Sequence, residues 1–203
     1  MNVEAIFRVA FWGLLIGLWA MRVYFLRGVR SGGARSQVNQ RAVKHEGMAL
    51  FIGRTAVLLF FAAILVLYAY NSPWLRVFAF SLPYWLRWCG LVLGLVGFSL
   101  WTWTQAALGK EYSPLLQVRD QHRLVTSGPY AWVRHPMYIA MFTVGIALAI
   151  LSANWCFVVF AIAMIIGFVL RAPREEQMMQ AAFGEPYTAY MQKTGRYFPR
   201  WHR

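Results

Sequence analysis

Residues 136–170 read PMYIAMFTVGIALAILSANWCFVVFAIAMIIGFVL, and this uncharged run decides the fold. One transmembrane helix needs about 20 apolar residues, with about 17 at the short end of the range. The run is therefore too long for one crossing and just long enough for two. Its only polar break is Ser152-Ala153-Asn154. We predict a tight helical hairpin that turns at this tripeptide.

The composition of the whole chain is that of an integral membrane protein. Of 203 residues, 60% are hydrophobic and 13% are charged, and the mean hydropathy is +0.47. A soluble domain cannot bury that much apolar surface. The net charge of +13 does not indicate a nucleic-acid partner, because the Lys and Arg residues cluster between apolar runs rather than along one face. We interpret these clusters as topology signals.

Three apolar runs precede the hairpin, at about residues 5–26, 47–70 and 86–108. The first lacks a basic leading region and a small-residue cleavage site, so it is predicted to be a retained transmembrane helix rather than a signal peptide. Gly90 and Gly94 in the third run have the spacing that permits close helix approach. The predicted fold is all-α, with five transmembrane helices.

The distribution of basic residues predicts the orientation. Segments 27–46, 109–135 and 171–203 carry five, four and six Lys or Arg residues, whereas 71–87 carries two and the hairpin turn carries none. Because basic loops stay in the cytoplasm, the N-terminus is predicted outside and the C-terminal segment in the cytoplasm. The loop 27–46 is then a basic cytoplasmic loop.

A polar stretch, HRLVTSGPYAWVRHPMY at residues 122–138, leads directly into the hairpin. Gly128-Pro129 predicts a turn, and Pro136 suits the first turn of a helix, where a missing N–H costs nothing. A helix start has free N–H groups, and Arg134 and His135 flank this one. The stretch is therefore predicted to bind a carboxylate or another acidic group.

The tail, RAPREEQMMQAAFGEPYTAYMQKTGRYFPRWHR at residues 171–203, changes character. Helical spacing predicts an amphipathic helix from about Glu175 that ends at Gly184, and a second short helix from Pro186. Arg171 lies one helical turn before Glu175. Glu175 and Glu176 place like charges side by side near apolar surface, which predicts a cationic partner.

Two common kinds of cofactor site are not indicated. No GxGxxG follows a strand, and the chain has no room for a doubly wound Rossmann domain. Cys89 and Cys156 lie in apolar runs without CxxC spacing or a neighbouring His, so no metal site is predicted and both cysteines are interpreted as packing residues.

The ordered motifs GPYAWVRHPMY, RxxxEE, FGxxYxxY and RYFP resemble the isoprenylcysteine carboxyl methyltransferase family of membrane enzymes and the related phospholipid methyltransferases. The resemblance covers about residues 108–200. It implies S-adenosylmethionine as methyl donor, bound without a Rossmann domain. Residues 1–107 match the family only in being helical and apolar. Together with the apolar runs, the resemblance predicts two regions: an N-terminal region of three transmembrane helices in residues 1–107, and a catalytic half in residues 108–203.

Carried over by position, the resemblance also implies the site residues. Arg171 would contact the substrate. We further expect Glu175 to bind the donor's ammonium, His135 and the helix start its carboxylate, and Tyr130 or Tyr138 its adenine or sulfonium. The implied cofactor contacts are His122, Arg123, Leu124, Val125, Tyr130, His135, Pro136, Met137, Tyr138 and Glu175.

The family's acceptor is a prenylated C-terminal cysteine, and another lipophilic molecule entering from the bilayer is also possible. A carboxylate acceptor is ionised at neutral pH and needs no general base, so Arg171 would only hold it. A phospholipid N-methyltransferase is the main alternative, and it would employ Glu176 as base or cation holder. Arg171 and Glu176 are therefore the predicted catalytic residues. A membrane reductase that binds a nicotinamide dinucleotide and a non-catalytic scaffold are further alternatives.

Overall fold

The structure is a computed structural model that describes residues 3–29, 48–109 and 124–200. The predicted basic loop, residues 27–46, lies almost entirely outside these ranges. Within them, every regular element is helical and no β-strand forms. The elements are α1 (Val3–Val29), α2 (Met48–Ala69), α3 (Pro73–Arg76), α4 (Tyr84–Leu108), a 3₁₀ helix (Gly128–Ala131), α5 (Pro136–Ser152), α6 (Trp155–Phe183) and α7 (Glu185–Lys193).

Four of these helices, α1, α2, α4 and α6, are long and apolar enough to cross a membrane. Helix α5 is apolar and shorter, with 17 residues. The predicted fold class, all-α and integral to the membrane with several crossings, is confirmed.

The hairpin turn forms at the predicted tripeptide. Ala153 adopts a left-handed conformation with φ 46°, which reverses the chain after α5. The Asn154 side chain accepts a hydrogen bond from the Cys156 backbone N–H at 3.0 Å and so caps α6. The same side chain donates to the Leu75 carbonyl oxygen at 2.8 Å, which anchors the turn to α3.

Helix α5 lies at the centre of the bundle and packs against α1, α4 and α6, while α2 packs against α6. Aromatic contacts fill the core between α1, α2 and α6: the Phe11 ring lies 4.7 Å from the Tyr68 ring and 5.0 Å from the Phe157 ring. A Cβ atom at Gly90 would lie 2.6 Å from Ile150 Cγ2, so the close approach predicted for α4 depends on glycine.

The bundle end that carries the hairpin turn also holds the start of α1. The Arg87 side chain is buried and donates to the Leu151 carbonyl oxygen at 2.6 Å and to Glu4 Oε1 at 2.6 Å. Its guanidinium lies 4.3 Å above the Phe7 ring. Arg87, counted above as a basic residue of the 71–87 connection, therefore caps α5 and neutralises Glu4.

Helix α6 differs from the prediction. We expected a separate amphipathic helix from about Glu175, but α6 runs without interruption from Trp155 to Phe183, with Pro173 inside it. A proline removes one backbone hydrogen bond. The helix continues because its next turns are anchored by tertiary contacts, with Ala172 and Glu176 both buried. The predicted end at Gly184, with φ 61°, and the short helix that follows are confirmed.

Candidate functional site

Four parts of the chain meet at the bundle end opposite the hairpin turn. They are the loop that contains the 3₁₀ helix, the first turns of α5, the stretch of α6 around residues 171–176, and the tail after α7. Helices α5 and α6 run side by side from the hairpin turn, so Tyr138 and Glu175, far apart in sequence, reach the same level.

The predicted Gly-Pro turn forms the 3₁₀ helix, which is held from two sides. Gly128 has φ 59°. A Cβ atom there would lie 3.5 Å from Trp103 Nε1 and 3.4 Å from Ala107 Cβ, so the turn is in van der Waals contact with α4. From the other side, the Tyr190 hydroxyl donates to the Tyr130 carbonyl oxygen at 2.6 Å. Burial raises the pKa of Tyr190 to about 12, so the phenol remains a donor at neutral pH.

The tail after α7 pairs with the loop before α5 through the backbone. The Arg134 N–H donates to the Gly195 carbonyl oxygen at 2.9 Å, and the His135 N–H donates to the Arg196 carbonyl oxygen at 3.1 Å. Val133 and Gly195 form an isolated parallel bridge. The N-cap of α5, His135, is thus held in place by a segment about 60 residues further along the chain.

The Glu176 carboxylate joins three of the four parts. Arg134 Nε donates to its Oε1 at 2.9 Å, and Arg196 donates from Nε at 3.1 Å and again from Nη2. The side chains of Arg134 and Glu176 are 6% and 5% exposed. The hydrogen bond to Glu176 raises the pKa of Arg196. A carboxylate buried between two guanidinium groups is charged and has its lone pairs occupied.

These contacts bear on two expected roles, which stay predictions. Glu176 was predicted as a base or cation holder for an N-methyltransferase, and Arg134 and Arg196 occupy its oxygens, which suits an ion pair between loop, helix and tail. Arg134 was predicted to flank a bound anion. Its guanidinium instead points into the protein, to Glu176 and to the carbonyl oxygens of Met191, at 3.2 Å, and Thr194.

Glu175, the adjacent carboxylate, has a different environment. The Tyr138 hydroxyl donates to its Oε2, and Arg171 Nε lies 3.7 Å from the same oxygen. The Glu175 side chain is 30% exposed and that of Arg171 is 13% exposed. A partly exposed carboxylate that accepts from one hydroxyl and forms one ion pair at 3.7 Å retains capacity for a further cationic ligand.

Aromatic rings surround this pair. The Tyr138 ring lies 4.8 Å from the His135 ring, stacked on it, and 4.5 Å from the Phe168 ring. The Phe142 ring lies 6.1 Å from Phe168 and 6.0 Å from Tyr197. These rings surround Tyr138, the partner of Glu175, with apolar surface, so a ligand bound at Glu175 lies next to a water-poor environment.

Three buried polar atoms near the start of α5 have no hydrogen-bond partner in the described part of the chain. They are Gln105 Oε1, His135 Nε2 and the Tyr197 hydroxyl. Gln105 is 1% exposed, and its Nε2 lies 3.8 Å from Met137 Sδ. His135 Nε2 lies 3.4 Å from Glu176 Oε1 without forming an aligned hydrogen bond. Buried atoms of this kind suit a polar ligand with both donors and acceptors.

Most of the predicted site residues come together here. Leu124 and Val125 lie, partly buried, in the irregular segment that leads to the 3₁₀ helix. His122 and Arg123 lie outside the described residues. The residues that meet at this end of the bundle are Tyr130, His135, Pro136, Met137, Tyr138, Arg171, Glu175 and Glu176.

Four residues that the sequence analysis left without a role also contribute. Tyr190, Arg196 and Tyr197 belong to the motifs FGxxYxxY and RYFP, which carried the resemblance but no assigned function. Gln105 had another signal, because an amide in an apolar helix is costly unless it has a partner or a ligand. Their contacts depend on the tail folding back onto α5.

Comparison with known proteins agrees with the sequence motifs. Residues 90–181 match the sequence model of the isoprenylcysteine carboxyl methyltransferase family. The protein-S-isoprenylcysteine O-methyltransferases of Xenopus laevis and Tribolium castaneum are 35% and 33% identical to this chain over 112 and 119 residues. These alignments cover 54% and 57% of this chain and 39% and 42% of the relatives, so the chain spans about two fifths of their length. The resemblance is confirmed.

Two further matches cover more of the chain. Protein-S-isoprenylcysteine O-methyltransferase B of Arabidopsis thaliana is 26% identical over 153 residues, which are 74% of this chain and 71% of the relative. The solved structure of a eukaryotic intramembrane Ras methyltransferase is 29% identical, with a TM-score of 0.53. That alignment covers 73% of this chain and 51% of the solved chain.

The ion pairs of Glu176 predict a stability effect. Glu176→Gln leaves two guanidinium groups facing a neutral amide, and breaking a buried pair from one side costs about 3 kcal/mol or more. We expect a loss of that size in the free energy of unfolding, measured by denaturant titration of the purified protein in detergent.

Glu185→Gln is the matched control, because Glu185 is exposed at the start of α7 and its charge should contribute less than about 1 kcal/mol. If Glu176→Gln is as stable as Glu185→Gln, the ion pairs do not hold the tail in place.

Proposed function

We propose that this chain is a membrane methyltransferase that transfers a methyl group from S-adenosylmethionine to the carboxylate of a lipophilic acceptor, most simply a prenylcysteine. The observation that carries the proposal is the arrangement of Glu175 and Arg171. A partly exposed carboxylate and an arginine lie one helical turn apart at the end of an apolar bundle, beside the start of α5. The sequence model of the isoprenylcysteine carboxyl methyltransferase family, over residues 90–181, covers both residues.

The proposed donor site uses groups suited to a zwitterion. Glu175 would bind the ammonium of the methionine moiety, with Tyr138 orienting the carboxylate of Glu175 through its hydroxyl. The N–H groups at the start of α5 and the His135 ring would face the donor's carboxylate. His122, Arg123, Leu124, Val125, Tyr130, Pro136 and Met137 complete the proposed donor site.

Arg171 is proposed to bind the acceptor. Its planar guanidinium can hold a carboxylate through two parallel hydrogen bonds, which fixes the acceptor oxygen relative to the methyl group. Phe168, one turn earlier on α6, extends apolar surface towards the bilayer from which a prenyl chain would enter.

The donor, when bound, supplies an electrophilic methyl group, and the protein's residues contribute position and environment. The acceptor carboxylate is ionised at neutral pH, so no residue has to remove a proton. Holding two reactants in line can contribute about 7 to 11 kcal/mol to lowering the barrier. Glu176 acts as a positioning residue in this scheme, since its ion pairs hold the α5 loop against the tail.

We infer that the bundle crosses the membrane five times. Helix α5 has 17 residues and a length of about 26 Å, which reaches across most of the hydrocarbon core. The N-terminus would then be outside, and the site and C-terminal segment would be cytoplasmic, in agreement with the basic residues of segments 109–135 and 171–203. Residues 1–107 would form the N-terminal region and residues 108–203 the catalytic half.

A phospholipid N-methyltransferase is the second candidate, because its sequence motifs are related. An amine acceptor is protonated at neutral pH and needs a base. The Glu176 carboxylate is occupied by Arg134 and Arg196. Glu175 would then have to bind the donor's ammonium and also act as the base, so the site favours a carboxylate acceptor. The membrane reductase and the scaffold are disfavoured by the family match over residues 90–181.

The experiment that tests this function identifies the bond that forms. Protein in lipid nanodiscs is incubated with methyl-labelled donor and a farnesylcysteine acceptor, and the product is treated with mild alkali. A methyl ester releases its label as methanol, whereas an N-methyl group is stable. Label that survives alkali would replace this proposal with N-methylation. No label in farnesylcysteine or in the nanodisc lipid would reject methyltransferase activity.

Donor affinity tests the role of Glu175. Glu175→Gln removes the charge proposed to pair with the ammonium, and a charge-assisted hydrogen bond contributes about 1.5 to 3 kcal/mol. We expect the dissociation constant of the donor, measured by titration calorimetry in nanodiscs, to rise about tenfold to a hundredfold.

Glu185→Gln removes the same charge from an exposed position and should leave donor affinity unchanged. Equal affinities for wild type and Glu175→Gln would remove Glu175 from the donor site.

Acceptor turnover tests the role of Arg171. Arg171→Lys keeps the positive charge and loses the planar fork, so kcat/KM for the acceptor should fall at least tenfold while the donor dissociation constant changes less than about twofold. Arg174→Lys, at an exposed position three residues on, makes the same change in the same helix and should keep wild-type kinetics.

A large loss of donor affinity in Arg171→Lys would assign Arg171 to the donor's carboxylate instead. Wild-type kinetics in both variants would leave Arg171 as a charge that only marks the membrane boundary.

A further inference from the structure

The buried hydroxyl of Tyr197 takes no part in the contacts that hold the candidate site together. Tyr197 lies in the tail after α7, and its hydroxyl has no hydrogen-bond partner among the described residues. A buried hydroxyl without a partner lowers stability, because the group loses its hydrogen bonds to water and gains none in the protein. In a candidate site, a bound ligand is one way to satisfy such a group.

The position of Tyr197 is tightly defined. The preceding residue, Arg196, is held twice: its carbonyl oxygen accepts from the His135 N–H at 3.1 Å, and its guanidinium binds Glu176. The Tyr197 ring consequently lies 5.9 Å from the His135 ring and 6.0 Å from the Phe142 ring. This places the phenol beside the first turns of α5.

The chemistry of the phenol limits what it can bind. Burial raises the pKa of Tyr197, and the charges of Glu176 and Glu175 act in the same direction, against the opposing effect of Arg196. The hydroxyl is therefore protonated at neutral pH and can donate a hydrogen bond. Of the nearby acidic groups, Glu176 is paired with Arg134 and Arg196, and Glu175 accepts from Tyr138 and is proposed to face the donor's ammonium.

We propose that the Tyr197 hydroxyl donates a hydrogen bond to the carboxylate of the donor's methionine moiety, so that the tail forms one wall of the donor site. The inference rests on the proposed function. Glu175 is assigned the donor's ammonium, and the ammonium and carboxylate of an amino acid share one carbon atom. The carboxylate must then lie close to Glu175 on the His135 side, where Tyr197 is found, while the acceptor's carboxylate lies at Arg171.

Tyr197→Phe separates a ligand-binding role from a structural one. It removes only the oxygen, which has no partner among residues 3–29, 48–109 and 124–200, so the melting temperature without ligand should equal or exceed that of the wild type. Donor affinity should fall, with the dissociation constant rising about tenfold for one hydrogen bond to a charged group. Both are measured on the full chain in nanodiscs, by thermal unfolding and by titration calorimetry with S-adenosylmethionine.

Tyr70→Phe is the matched control. Tyr70 is 83% exposed at the opposite end of the bundle, so its variant should match the wild type in both measurements. An intact donor affinity in Tyr197→Phe, with wild type binding normally, would overturn the assignment of Tyr197 alone.

Two other results would also overturn it. A lower melting temperature of the free variant with unchanged donor affinity would show that the hydroxyl is structural. A higher KM for the acceptor with unchanged donor affinity would move the hydroxyl to the acceptor's carboxylate. If the wild type itself does not bind the donor, the proposed function is rejected. If the wild type and Tyr197→Phe bind the donor equally well, only the role of Tyr197 is rejected.

Discussion

The ion pairs of Glu176 are the interaction on which the rest of the site depends. One buried carboxylate on α6 binds guanidinium groups from the loop before α5 and from the tail after α7. A charge buried among apolar helices is costly unless it is neutralised, and here each partner can be satisfied only when loop, helix and tail are all in place. The same contacts that neutralise the charge therefore define the position of the α5 N-terminus.

The two adjacent glutamates show how neighbouring residues on one helix acquire different chemistry. Successive residues point about 100° apart around a helix. Glu176 consequently faces the tail and loop, whereas Glu175 faces Tyr138 and Arg171 and keeps 30% of its side chain exposed. The oxygens of the buried carboxylate are occupied by guanidinium groups, whereas the partly exposed carboxylate keeps capacity for a ligand, although both have the same side chain.

The opposite end of the bundle uses buried charge in a similar way. Arg87 binds the carbonyl oxygen of Leu151 at the end of α5 and the side chain of Glu4 at the start of α1. It thus connects the N-terminal helix to the hairpin that carries the site at its other end. Arginine side chains hold the hairpin at both ends, while Gly94 and Gly97 of α4 allow close packing against the middle of α5.

The sequence by itself determined the features that depend on local chemistry. The uncharged run 136–170 with its break at Ser152-Ala153-Asn154 was enough to predict the hairpin. Pro136 predicted the start of α5, and Gly184 predicted the end of α6. These follow from hydropathy and backbone preferences of a few adjacent residues. Only the tertiary structure decided which charges are paired. Arg134, Glu176 and Arg196 lie in three separate segments, and nothing in the spacing of these residues reveals that the tail returns to the loop. The continuation of α6 through Pro173 and the burial of Gln105 and of the Tyr197 hydroxyl were likewise decided by packing between distant segments, because burial depends on what folds against a group.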